Sequence, residues 1–142
     1  MTQLIAEGLF RIDDGGRAVL FGSRRRSSGL VKFPAERPEL FDGNPDIQSE
    51  IEPIELSTMG TLYTFTTQDF PPPLPYKGKR SPDEFKPYVI GFVELPEGVL
   101  VESLIVNVTS TELSIGQPLV STTTVLETAD GQSFTTFAFQ PA

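Results

Sequence analysis

Gly60-Thr61-Leu62-Tyr63-Thr64-Phe65-Thr66-Thr67 is the stretch on which the fold turns. Nearly every residue in it is β-branched or aromatic, which suits a pleated, half-buried surface and disfavours a helix. Leu62, Thr64 and Thr66 alternate with Tyr63, Phe65 and Thr67, so a period of two predicts a strand with unlike faces. Towards the C-terminus, Val89 to Leu95 predicts a second strand and Gly98 to Val108 a third. A short helical turn at Thr109 to Leu113 leads into Ile115-Gly116-Gln117-Pro118 and a strand from Leu119 to Glu127. Asp130-Gly131 is a hairpin signal, and Ser133 to Gln140 closes the sheet.

About five strands, with a helical turn between the third and fourth, match the five-stranded Greek-key barrel of the OB type. The chain therefore reads as mainly β. Phe65, Phe92, Phe137 and Phe139 are expected in the core of that barrel rather than on a ligand platform.

Upstream, Met1 to Arg11 predicts a short helix, with Leu4, Ile5, Leu9 and Phe10 on one face and Thr2 as N-cap. Asp13-Asp14-Gly15-Gly16 is a turn. Ala18 to Gly22 and Gly29 to Phe33 predict two short strands, with Arg24, Arg25 and Arg26 at the bend between them. The run Gly22-Ser23-Arg24-Arg25-Arg26-Ser27-Ser28-Gly29-Leu30-Val31-Lys32-Phe33-Pro34 has the outline of a zinc-ribbon knuckle. In a G-x-R-C-x-x-C-G-x-x-x-F-P ribbon the cysteines would fall on Arg25 and Ser28. The chain has no cysteine and no histidine, so a tetrahedral zinc site with N or S ligands cannot form, and zinc is predicted absent. Pro34 to Ile51 reads as an irregular connector. Its Glu36, Glu39, Asp42 and Asp46 are hard oxygen donors suited to Ca²⁺ or Mg²⁺, but a solvated acidic loop is the simpler reading. These patterns divide the chain into residues 1–53, a helix and degenerate metal-free ribbon, and residues 54–142, the barrel.

At 142 residues with 38% hydrophobic content, the chain is long enough to bury a core without disulfides or metals. No apolar run approaches the length of a membrane span, and Met1 to Ile12 lacks the apolar core of a signal peptide. A cytoplasmic location is the expectation. The net charge is −8, and its placement matters more than its sum. From Pro87 to Ala142 there is no Lys or Arg, while Glu94, Glu97, Glu102, Glu112, Glu127 and Asp130 are acidic. Phosphate neutralisation supplies most nucleic-acid affinity, and this half cannot provide it. A nucleic-acid-binding OB domain is thus the alternative reading, and one the charge opposes.

No residue set for catalysis stands out. Without histidine the usual general base near neutral pH is missing, and no G-x-S-x-G elbow occurs. Glu94 with Glu97, and Glu50 with Glu52, are expected on solvated surface. The segment Phe70 to Tyr88 is the better candidate for function. Pro71, Pro72, Pro73, Pro75, Pro82 and Pro87 hold it extended, which lowers the entropy lost when a partner binds. Phe70, Pro73, Tyr76, Phe85 and Tyr88 are its candidate interface residues, the aromatics serving as anchors. Arg24, Arg25 and Arg26 are candidate contacts for the phosphates of a CoA nucleotide, since guanidinium forks match phosphate geometry.

Taken in order, the ribbon pattern, G-T-L-Y-T-F-T, the proline-rich loop, P-Y-V-I-G-F-V-E-L, L-x-I-G-Q-P and the Phe-rich end resemble the DUF35 family of acyl-CoA-associated OB-fold proteins. The resemblance runs from about Ile5 to Pro141. Phe70-Pro71-Pro72-Pro73 through Pro75-Tyr76, and Glu84-Phe85-Lys86-Pro87-Tyr88, are similar to members paired with steroid side-chain thiolase-like aldolases. It implies a non-catalytic small subunit beside a thiolase-like, or lipid-transfer-protein-like, catalytic subunit, in a heterotetramer. That partner would cleave a C–C bond of a β-hydroxyacyl-CoA, with steroid side-chain thioesters as a substrate class. CoA thioester would be the substrate of the complex, and this chain would border its channel. A free-standing acyl-CoA binder is the remaining reading. No membrane and no nucleic-acid partner are implied. The departure from the family is at the metal: Arg25 and Ser28 stand where ligands would be.

Overall fold

The computed structural model describes residues 3–4, 8–37, 45–69, 86–128 and 130–142. Among these residues, ten strands and one short helix follow in order: β1 Gln3–Leu4, β2 Phe10–Ile12, β3 Ala18–Arg25, β4 Val31–Lys32, α1 Pro45–Glu50, β5 Ile51–Glu55, β6 Met59–Gln68, β7 Tyr88–Glu94, β8 Leu100–Ile105, β9 Pro118–Glu127 and β10 Ser133–Pro141. A 3-10 turn, Ser110–Glu112, lies between β8 and β9.

Strands β6 to β10 form a closed barrel. Around it β10 pairs with β8, β8 with β7, β7 with β6, β6 with β9, and β9 with β10. All these pairings are antiparallel except β8 with β10, which is parallel through Phe139 and Ile105. Five strands, closed in this order with the helical turn before β9, make an OB fold. The five strands lie where alternation and turn signals place them, to within a few residues at the ends.

Two local features depart from simple alternation. In β6 the pairing with β7 shifts between Leu62 and Thr64, so Tyr63 is the extra residue of a bulge. The bulge switches the inward set, which lets both Leu62 and Phe65 pack on the core while Tyr63 faces solvent. The expected face of Leu62, Thr64 and Thr66 is corrected by that shift. In β7 the inward positions are Val89, Gly91 and Val93, all buried. Phe92 therefore points outward and is 40% exposed, against its expected place in the core. Phe139 is fully buried, and Phe65 and Phe137 pack against the same core cluster.

The expected N-terminal helix is not what forms. Gln3–Leu4 is a strand that pairs parallel with Phe134 and Thr135 of β10, and Phe10–Ile12 is a second strand. Edge pairing explains this. One side of β10 runs along β9, and β8 reaches the other side only near Phe139, so the edge at 134–135 is open to β1. Gly8, at φ +85°, also takes a left-handed conformation that a helix cannot accommodate.

The ribbon is a small sheet centred on β3. Its first residues pair with β2 and its last with β4 along one edge, while β5 covers the other edge from Phe21 to Arg25. Strand β5 is not legible in the sequence because Pro53 interrupts it. As an edge strand it tolerates a residue with no N–H to donate. Helix α1 falls in the stretch expected to be irregular; Pro45, at the first helical position, is its sequence signal.

Ribbon and barrel share one core. Phe10, Ala18, Leu20 and Leu56 from the ribbon side join Leu62, Val93, Leu119 and Phe139 of the barrel in a single cluster. Phe137 meets both Phe10 and Phe33 edge-to-face, with centroids 5.8 and 5.6 Å away. The buried Ser121 hydroxyl donates to the Ala18 carbonyl at 2.7 Å, tying β9 to the start of β3.

Candidate functional site

Three regions hold the residues of interest. The first is the knuckle between β3 and β4. Arg25 lies at the end of β3 and Gly29, at φ +75°, closes the turn by donating its N–H to the Arg25 carbonyl at 2.8 Å. The Arg25 guanidinium makes a two-pronged pair with Glu36, Nε and Nη2 each 2.8 Å from a carboxylate oxygen. Lys32 Nζ lies 3.6 Å from the same carboxylate. The Glu36 N–H in turn donates to the buried Ser23 hydroxyl at 2.8 Å. Hydrogen bonding from Arg25, opposed in part by burial, holds the Glu36 carboxyl below its ordinary pKa and raises that of Arg25.

Around this pair the other arginines also meet partners within the chain. Arg24 Nε is 2.8 Å from Glu52, and Arg26 Nη1 is 3.2 Å from the same carboxylate. Arg26 also donates from Nε to the Ser49 carbonyl at 2.9 Å, and Glu50 accepts from the Ser27 N–H at 2.7 Å. The knuckle is thereby clamped to Glu36 on one side and to residues 49–52 on the other. Sequence reasoning places Glu50 and Glu52 on solvated surface. Their role is not readable there because the partners lie some two dozen residues away in the chain.

The geometry at the knuckle does not fit zinc. A guanidinium stands at the first ligand position and is already engaged by a carboxylate, and the second position offers only the Ser28 hydroxyl, which accepts from the Leu30 N–H at 3.3 Å. Of the four acids considered as oxygen donors, Glu36 belongs to the ion pair and Asp46 to the first turn of α1, while Glu39 and Asp42 lie outside the described residues.

The second region is the connection from β6 to β7. Phe70, Pro73, Tyr76 and Phe85 lie outside the described residues; Tyr88 opens β7 opposite Gln68. At the base of this connection is an open cleft of about 410 Å³, lined among others by Thr67, Asp69, Tyr88, Asn107 and Ser110. Asn107 has φ 59° and donates from its side-chain amide to Gln140, fixing the corner after β8.

The third region is the outward face of β6, β7 and β8, which sequence reasoning does not single out. Thr64, Phe92 and Glu102 form one cross-strand row and Thr61, Glu94 and Leu100 the next. Phe92, Leu100 and Tyr63 are 40%, 41% and 54% exposed. Away from this face, at the turn from β7 to β8, Glu97 accepts from both the N–H and the hydroxyl of Ser57, at 3.0 and 2.7 Å, and so joins that turn to the start of β6.

The fold and the knuckle together define a ribbon-headed OB barrel with an acidic C-terminal half. Comparison with known proteins narrows the class. The family described as ChsH2, C-terminal OB-fold domain, matches residues 53–124, just over half of the chain, and the protein belongs to that family, a DUF35 OB-fold family. A solved structure, an Ltp2–ChsH2 (DUF35) aldolase, is similar over 87% of this chain and 84% of its own, with a TM-score of 0.54 and 22% identity. At that identity the likeness speaks to the fold, and it extends beyond the barrel into the ribbon. A comparison with curated proteins gives no match. Among the described residues, no helix is long and apolar enough to cross a membrane.

Proposed function

We propose that this chain is a non-catalytic small subunit that stabilises a thiolase-like aldolase acting on acyl-CoA. The partner would break the bond between the α and β carbons of a β-hydroxyacyl-CoA, steroid side-chain thioesters being the substrate class the resemblance implies. The single observation that carries the reading is membership of the ChsH2 OB-fold family over residues 53–124. The similar fold in an Ltp2–ChsH2 (DUF35) aldolase supports it. Chemistry agrees: the chain has no histidine or cysteine to act as base or nucleophile.

In this reading the segment Phe70 to Tyr88 borders the substrate channel, with Phe70, Pro73, Tyr76, Phe85 and Tyr88 against the catalytic subunit. The ribbon works without zinc, its cross-link supplied by the Arg25–Glu36 pair and the contacts to residues 49–52. The same pairing weakens the case for Arg24, Arg25 and Arg26 as CoA-phosphate ligands, because a phosphate would have to displace Glu36 and Glu52. The test is co-purification of the tagged chain with the thiolase-like subunit of its own genome, for wild type and for Tyr76→Ala with Phe85→Ala. Wild type should give a heteromer and the double variant a weaker one. Equal assembly and equal lyase activity would remove the loop from the interface.

A further inference from the structure

On the outward face of the barrel, strand alternation puts Tyr88, Ile90, Phe92 and Glu94 on one side of β7, and pairing sets Leu100, Glu102 and Leu104 beside them on β8. Across-strand neighbours such as these stand roughly 5 Å apart, so the side chains form a continuous surface. The bulge at Tyr63 adds one aromatic from β6, since the extra residue is turned out beside the Phe92 row. Three large apolar side chains on neighbouring strands, each 40% exposed or more, are not the scattered exposure of an ordinary surface. On the buried side of the same strands Leu62, Val93 and Val101 are at most 1% exposed, so the core there is packed without Phe92 and Leu100.

We propose that this face, built on Tyr63, Ile90, Phe92 and Leu100 and interleaved with Glu94 and Glu102, is the surface on which the catalytic subunit docks, through apolar side chains set among lysine or arginine. The inference rests on the subunit reading and deepens it. Charge selects the occupant. Glu94 and Glu102 are exposed, and residues 87–142 contain no Lys or Arg to neutralise them. A second copy would set these carboxylates against their own kind in a chain of net charge −8, whereas lysine or arginine would complement them. Tyr88, one of the proposed interface residues, heads the outward column of β7 and so belongs to the same face. Each apolar anchor has a carboxylate as its direct cross-strand neighbour, Glu102 beside Phe92 and Glu94 beside Leu100, so a partner must meet apolar contact and positive charge side by side.

The experiment compares wild type, Phe92→Ser with Leu100→Ser, and Glu94→Lys with Glu102→Lys, each purified and titrated against the thiolase-like subunit of the same genome. Oligomeric state is followed by light scattering and folding by circular dichroism. Wild type alone should be monomeric. Both double variants should keep the fold, since all four positions are exposed, and both should raise the Kd by about tenfold or more. The charge pair should do so mainly through a slower, salt-dependent on-rate. If the serine pair does not fold, the lysine pair alone decides. Unchanged Kd in both variants overturns the inference, and if Tyr76→Ala with Phe85→Ala still weakens binding, the subunit reading survives without this face. A wild-type dimer that the serine pair dissolves would assign the face to a second copy and overturn the inference too. A wild type that binds no thiolase-like subunit removes the subunit reading and this assignment together.

Discussion

Replacing Leu62 and Tyr63 one at a time with alanine tests the bulge that organises β6. Leu62 is 1% exposed and lies in the central cluster. It packs over Gly91 of β7, where a Cβ would sit only 3.1 Å from Leu62 Cδ1; having no side chain, Gly91 cannot swing in to fill the space that truncation leaves. Leu→Ala changes at such sites cost about 3–5 kcal/mol, through lost transfer energy plus the cavity left behind. At about 2–4 °C per kcal/mol for a chain of this size, the melting temperature should fall by roughly 6–20 °C. Tyr63, one residue on, is 54% exposed, and its truncation should cost on the order of 0.5 kcal/mol. Calorimetry or urea unfolding followed by circular dichroism measures both. Equal losses at the two positions, or a larger loss at Tyr63, would refute the bulge and with it the outward placement of the aromatic.

Two further expectations concern how the sheets are held. At Gly60, an added Cβ would lie 2.6 Å from the Glu94 carbonyl oxygen and 2.8 Å from Leu95 Cδ2, so Gly60→Ala must push β6 off β7; a loss of about 1–3 kcal/mol in urea unfolding is expected, and an unchanged midpoint would contradict the close approach. At the knuckle, Arg25 lowers the pKa of Glu36 in the folded state, so this pair contributes stability above the ordinary carboxylate pKa and loses it as pH falls through the lowered folded value. Glu36→Gln should lower the melting temperature at pH 7 and flatten its acid dependence, while treatment with a chelator leaves wild type unchanged. A chelator-induced drop would reinstate a metal.

Much of the barrel is legible because its strands alternate cleanly between recognisable turns: Val89–Leu95, Leu119–Glu127 and the Asp130-Gly131 hairpin all lie where read. Periodicity does not say which of two faces is the core, however. Strand β7 carries an outward Phe92 and an inward Gly91, the reverse of what hydrophobicity alone suggests, because Leu62 and Ile105 fill the space above the glycine. The bulge at Tyr63 leaves no mark either, since a threonine-rich strand reads the same with one residue more. The N-terminal strand is hidden for another reason: two residues pairing with an open edge of β10 carry no local signal of their own. The knuckle outline is readable to the residue, yet its clamp is not. Glu36, Glu50 and Glu52 look like solvated acids until the fold brings Arg24, Arg25 and Arg26 and the Ser27 N–H to them.

An accessory subunit whose partner does the chemistry has a direct kinetic signature. The purified chain is titrated into its thiolase-like partner while retro-aldol cleavage of a β-hydroxyacyl-CoA is followed. No turnover by this chain alone is expected, together with a rise in the partner's rate that saturates at a fixed molar ratio. A partner rate indifferent to this chain at every ratio, or turnover by this chain without any partner, would contradict the accessory role.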